Sequence, residues 1–289
     1  QPIPDGWKQI KQETENIKFD ISAEEESNGF IVFKRHKQEL VFLYDKPRNS
    51  EKTNSLRVFT CPSLFESVTF SLHALLDLKN IEIQVDDLIS KDGNKISKEN
   101  IDIRVVKHLP KPVNKDNKTY KLYPYILDKE EKVSIKKDEN LQWWLTIYIP
   151  EKTQAGNYES KIKILAENAV KFEVKLLIKV LPINLVKPDI SVGISSAGDF
   201  EPPKDMLLEK QWIDRREHGM NTAGIQLRVG DIESVKKIME EQFALFKKVG
   251  FTGEYGVFAC QNSICFWDDK KFWFTYYPFS KELDEKYIK

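Results

Sequence analysis

Chemistry in this chain would have to come from a small set of side chains. Adjacent carboxylates stand at Asp86-Asp87 and Asp268-Asp269, and Glu217 precedes His218 in "RREHG". A pair of acids serves as proton donor and base only when both converge on one bond. Neighbours in a turn point apart, so the two Asp pairs read as solvated turns, and Glu217 with His218 as a solvated helix end. Three cysteines and four scattered histidines (His36, His73, His108, His218) lack the paired spacing of a metal site, so neither metal nor cofactor is expected. Cys260 and Cys265 enclose only "QNSI". In an oxidising compartment they close a tight disulfide loop; otherwise they are ordinary thiols, like Cys61. The most patterned stretch is "LQWWLTIYIPEKTQAGNYESKIKI", residues 141–164. There Trp144 and Tyr148 share one face, where they either stack on a sugar ring or cover a contact between domains.

The elements that would position these groups fall into two kinds. Residues 17–180 read as some ten short strands, among them "FIVFKR", "ELVFLY", "SLRVFT", "SVTFSLHAL", "WWLTIYI" and "YESKIKIL", with no helix. In the final run, "VKFEVKLLIKV" (170–180), Phe172, Val174, Leu176, Ile178 and Val180 take one face, while Lys171, Glu173, Lys175 and Lys179 take the other. One dry and one wet face predict an antiparallel β-sandwich over residues 1–181. In 141–149, Trp143, Leu145, Ile147 and Ile149 form the inward set by the same alternation.

A proline-marked linker, 182–188, ends this pattern. From 189 to 289 the period changes. "DISVGIS" reads as a strand, and "PPKDMLLEKQWIDRREHG" as a helix closed by Gly219. "MNTAGIQL" is a strand, and "DIESVKKIMEEQFALFKKVG" a helix from Asp231 to Gly250. "TGEYGVFAC" is a strand again, and "FTYYPFSKELDEKYIK" leads into a third helix capped by Ser280. Three strand–helix units make a partial, TIM-barrel-like α/β domain. Polar groups at the C-terminal ends of its strands are the ligand-binding candidates: Ser195, Ser196 and Asp199 after the first, Gln226 and Arg228 after the second, and Glu254 and Tyr255 at the third.

Composition removes whole classes of function. Lys plus Arg equal Asp plus Glu at 45 each, which argues against a non-specific nucleic-acid grip. No apolar run reaches the roughly 18–20 residues that cross a bilayer. "QPIPDGWKQI" holds no secretory signal, and Gln1 in place of Met suits the processed N-terminus of a secreted, periplasmic or cell-surface protein. The sequon Asn117-Lys118-Thr119 matters only where the source glycosylates.

In order along the chain, "VTFSLHALLDLKNIEIQVDDL", "ISKENIDIRVVKH", "YPYIL", "WWLTIYIPEKTQAGNYESKIKI" and the proline-marked linker resemble the N-terminal β-sandwich of glycoside hydrolase family 123 proteins and their relatives. "WIDRREHGMNT" and "YYPFSKELDEKYIK" resemble the start of their (β/α)₈ barrel, so the resemblance spans about residues 30–289. "CPSLFES" departs from the Gly-Glu pair more usual there. The resemblance implies hydrolysis of β-linked N-acetylgalactosamine, with the substrate's acetamido group as nucleophile. The Asp-Glu pair that assists it follows the fourth barrel strand. No position here corresponds to that pair, so no catalytic residue is carried over, and the chain alone is expected to be inactive. The partners expected on this reading are a glycan and the remainder of the barrel. The alternative is a complete, non-catalytic β-sandwich module that binds glycan or protein and covers its open edges by self-association.

Overall fold

Strict alternation over the first half gives two sheets that share one dry interior. The computed structural model describes residues 5–10, 17–114, 118–185, 190–193, 206–227, 232–252, 255–259, 263–267 and 272–276. The chain divides into two compact units, Gln1–Leu185 and Val186–Lys289.

In chain order the first unit holds β1 (Lys8–Gln9), helix α1 (Ala23–Asn28), β2 (Phe30–Phe33), β3 (Ser55–Thr60) and β4 (Phe65–Ala74). Then come β5 (Leu78–Val85), β6 (Leu88–Ser90), β7 (Lys95–Ile96), β8 (Ile101–Asn114) and β9 (Thr119–Asp128). It ends with β10 (Val133–Ile135), β11 (Asn140–Tyr148), β12 (Gly156–Leu165) and β13 (Phe172–Val180). One sheet has the order β1-β9-β8-β11-β4-β2. The other has the order β10-β5-β12-β13-β3, with β6 pairing both β12 and β7. Both sheets are mixed, because β1 runs parallel to β9 and β3 parallel to β13.

Side chains from both sheets meet in a single buried cluster, including Phe70, Leu72, Trp143, Leu145 and Ile147 from one and Leu56, Ile162, Ile164, Val174, Leu176 and Ile178 from the other. This is a β-sandwich as the alternation predicts, but its two parallel pairs correct the expectation of purely antiparallel sheets. On β13 every second residue from Val174 to Val180 is buried, and on β11 the inward set includes Trp143, Leu145 and Ile147, continued by Ile149 just past its end. The ring of Trp143 stacks on Phe70 at 5.5 Å.

Two expectations fail locally. Helix α1 was missed, although "SAEE" carries a capping box: the Ser22 hydroxyl accepts from the Glu25 N–H and the Glu25 carboxylate from the Ser22 N–H. Gly29, at φ +78°, ends the helix in the left-handed region. "ELVFLY" is not a strand. The carbonyls of Val41, Phe42 and Leu43 bond to His108 and Asn140, so this stretch lies across the sheet as a strap and joins neither ladder.

The second unit, described by itself, contains α2 (Met206–Glu217), β14 (Gly224–Leu227), α3 (Ile232–Val249), β15 (Tyr255–Ala259), β16 (Ser263–Trp267) and β17 (Phe272–Tyr276). Its sheet has the order β14-β15-β16-β17. β14 and β15 are parallel and joined by α3; β16 and β17 are antiparallel. The β16–β17 hairpin is a correction to the reading of three consecutive strand–helix units. Trp212, Phe243, Phe246, Val249 and Phe251 pack the core of this unit. Residues 190–193 are not a strand, yet they lie beside the approach to β14: Asn221 N–H and Thr222 N–H donate to Val192 O, and Asn221 Nδ2 donates to Ile190 O. The expected third helix, with Ser280, and the helix starts at Pro202, Pro203 and Asp231 lie outside the described residues.

Candidate functional site

Register in the first sheet assembles a polar field around one indole ring. β11 lies between β4 and β8. Trp144 faces Thr69 on β4 and Arg104 on β8. The row on one side is Ser71–Gln142–Val106, and the row on the other is Ser67–Thr146–Asp102. All nine residues share the face turned away from the sandwich core, because side chains alternate along each strand. Cross-strand neighbours lie about 5 Å apart and next-but-one residues about 7 Å, so every member of this field borders Trp144.

The accessible part of the field is charged. Arg104 Nε donates to Asp102 Oδ2 at 2.5 Å, and Lys129 Nζ lies 3.3 Å from Asp102 Oδ1. Burial by itself would raise the Asp102 pKa. The hydrogen bond and charge of Arg104, with Lys129, outweigh it and hold the carboxyl below the usual range. Trp144 is half-buried and has no ring neighbour among the described residues. Tyr148 lies four residues along the strand, roughly 13 Å away. Its ring packs against Phe65 at 4.8 Å, so the two aromatics do not form one platform.

The upper end of the same face is sealed. Asn140, fully buried, donates from Nδ2 to Phe42 O at 2.8 Å and Asp45 O at 2.7 Å. Its Oδ1 therefore accepts from His73 Nδ1 at 2.8 Å, which fixes the histidine tautomer. His108 Nε2 donates to Val41 O at 3.0 Å. Arg35 adds ion pairs to Asp45 at 2.6 Å and Glu51 at 2.9 Å. Nothing in the sequence flagged His73 or Asn140, because their pairing depends on cross-strand register 67 residues apart. Next to them the Ser71 hydroxyl is buried without a partner among the described residues.

The remaining candidates divide clearly. Ser195, Ser196, Asp199, Arg228 and Glu254 lie outside the described residues. Gln226 is on β14, opposite Phe258, and Tyr255 opens β15. Asp86 pairs with Lys163 at 2.6 Å, while Asp87 pairs with Lys95 at 2.6 Å and accepts from the Lys98 N–H. The two carboxylates thus serve different partners. Glu217 ends α2, 3.6 Å from Arg216. His218 Nδ1 lies 2.8 Å from Asp214 O. Asp268, Asp269 and Cys260 lie outside the described residues; Cys265 is on β16, and Cys61 is a buried free thiol. Among the described residues no group of three or more His, Cys, Asp or Glu could hold a metal ion, and no helix is long and apolar enough to cross a membrane.

Residues 67–166, from β4 to just past β12, match the family model of the glycoside hydrolase 123 N-terminal domain. The fold is similar to that of a family 123 glycoside hydrolase from Clostridium perfringens, in a structure concerned with glycolipid glycan hydrolysis, at TM-score 0.59 and 16% identity. The similarity covers 80% of this chain and 49% of that one, so the chain spans about half the hydrolase's length. A PapD-like domain of human CEP192 follows at TM-score 0.31 and 8% identity, over 59% of this chain and 96% of that domain. A Bacteroides ovatus GH5 xyloglucanase follows at 0.25 and 7%, over 71% and 43%. These last two likenesses decide nothing about function. No curated protein matches the sequence. The resemblance to glycoside hydrolase family 123 therefore stands on both sequence and fold.

Proposed function

We propose that this chain is the N-terminal, sandwich-bearing part of a glycoside-hydrolase-like protein that acts on glycans outside the cytoplasm, with N-acetylhexosaminide or glycolipid glycan as the substrate class. The observation that carries the reading is the family 123 N-terminal match over residues 67–166, joined to a fold likeness over 80% of the chain. On this reading the second unit opens a TIM-barrel-like domain. Its parallel pair β14/β15, joined by α3, is one strand–helix–strand step, and Ser195, Ser196, Asp199, Gln226 and Arg228 border the substrate mouth.

The acids of a substrate-assisted reaction must face one glycosidic bond. Asp86 and Asp87 are each committed to a lysine, and Glu217 sits at the end of a helix. The chain by itself is therefore expected to be inactive. The test is the release of aryl alcohol from aryl N-acetyl-β-galactosaminide and -glucosaminide. The expected rate equals the blank for this chain and rises above it when residues supplying a further acid pair are joined to its C-terminus. Turnover by the purified chain alone would overturn the inactivity. An extended chain that binds no amino sugar would overturn the substrate class.

A further inference from the structure

We propose that the outer face of β4, β11 and β8 is a glycan-binding site, with one neutral sugar ring stacked on Trp144 and its hydroxyls held by the surrounding polar groups. An indole left partly exposed at the centre of a sheet face loses part of the stabilisation its full burial would bring. Its twin shows what a purely structural tryptophan does here: Trp143 is buried and stacked on Phe70. Of the eight residues that border Trp144, Thr69, Ser71, Gln142 and Val106 are buried, and the four left accessible are all polar: Ser67, Thr146, Asp102 and Arg104.

That surrounding discriminates between ligands. A tryptophan that anchors a protein partner sits at the centre of an interface depleted in Asp, Glu and Lys, whereas Asp102 borders this indole and Lys129 pairs with that carboxylate. A sugar presents the reverse requirement, an apolar ring face edged by hydroxyls. Such a ligand needs one aromatic surface with planar donors and acceptors around it. The Arg104–Asp102 pair supplies both at the accessible side of the field, and Thr146 and Ser67 add hydroxyls. Arg104 and Lys129 both pair with Asp102, so the face carries one surplus positive charge, too little and too exposed to make a concentrated field that selects an anionic sugar. Tyr148 is excluded from the stack by its packing against Phe65. The site is separate from the hydrolase reading, since a chain that hydrolyses nothing can still bind here.

The experiment is titration of the chain with neutral oligosaccharides, read by tryptophan fluorescence and calorimetry. The probes are cellohexaose, chitohexaose and a galactose/N-acetylgalactosamine-terminated globo-series oligosaccharide. At least one should bind at millimolar concentration or tighter. Trp144→Ala should weaken that binding tenfold or more, Arg104→Gln several-fold, and Tyr148→Phe not at all. Arg104→Gln keeps the test valid if Trp144→Ala fails to fold. Three results overturn the proposal: no binding by any probe, binding that survives both substitutions, or self-association of the wild type that Trp144→Ala abolishes. The last would assign the face to a protein contact.

Discussion

Replacing Asn140 with alanine should unfasten the strap over residues 36–47 without opening the sandwich beneath it. The side chain makes three hydrogen bonds, two to strap carbonyls and one from His73. Each contributes about 1 kcal/mol net, and the stranded His73 N–H, in a site 2% exposed, adds about 1–2 kcal/mol. Only the two strap bonds act on strap closure, so loss of the side chain costs about 2 kcal/mol there, or roughly thirtyfold in protection, while the stranded His73 N–H is a cost to the sheet. The backbone bond from Asn140 N–H to Leu43 O survives, so the strap is loosened and the β11 ladder is kept. Hydrogen exchange of peptides covering 36–48 reads this directly. Asn157→Ala, at an exposed position on β12, should change nothing. Asn140→Asp keeps the volume but turns acceptors toward carbonyls, so it should be at least as damaging. A loss of protection smaller than tenfold in Asn140→Ala would refute the reasoning.

The same strap should loosen in acid. Burial first, then the Lys46 charge, hold His73 below its ordinary pKa against the opposing pull of the Asn140 bond and the Asp138 charge. Burial also holds His108 low, against the Val41 bond and the charges of Asp45 and Glu139. A histidine kept neutral on folding costs nothing while the unfolded side chain is neutral too. Stability is therefore full above about pH 6.5 and falls below it, by up to about 1.4 kcal/mol per pH unit per histidine until the folded pKa is reached. Ring titration by NMR should find both pKa values below 6.5; a value above that for either would remove its share. In the second unit, a Cβ at Gly193 would stand 2.4 Å from Thr222 O, so Gly193→Ala should separate 190–193 from the approach to β14. Proteolysis there should accelerate at least tenfold, and unchanged kinetics would contradict the close approach.

Legibility in the sequence followed period. Trp143 and Trp144 could be assigned to opposite faces because alternation on β11 is unbroken, and β13 announced its dry face for the same reason. "ELVFLY" imitated a strand because Val41 is buried, yet its carbonyls bond to His108 and Asn140, residues placed by register alone. "SICFW" and "FWFTY" form β16 and β17 as near-continuous apolar runs without alternation, so no period marked them as a hairpin. The candidate site was half legible as a cluster. The central aromatic could be named, but Arg104 and Asp102 became its neighbours only when β8 paired with β11.

The parallel pairing of β3 with β13 has a consequence for how the first unit is made. It ties residues 55–60 to residues 175–180, and the family-matched segment 67–166 contains neither strand. A polypeptide cut to that segment would expose the flank of β12 and strip Leu56, Val58, Val174, Leu176, Ile178 and Val180 from the shared interior. On the ribosome, β3 emerges early and must wait for its partner, so the sandwich seals only after residue 180 has been synthesised. A piece of this unit that keeps the shared interior closed must therefore include everything from β3 through the end of β13.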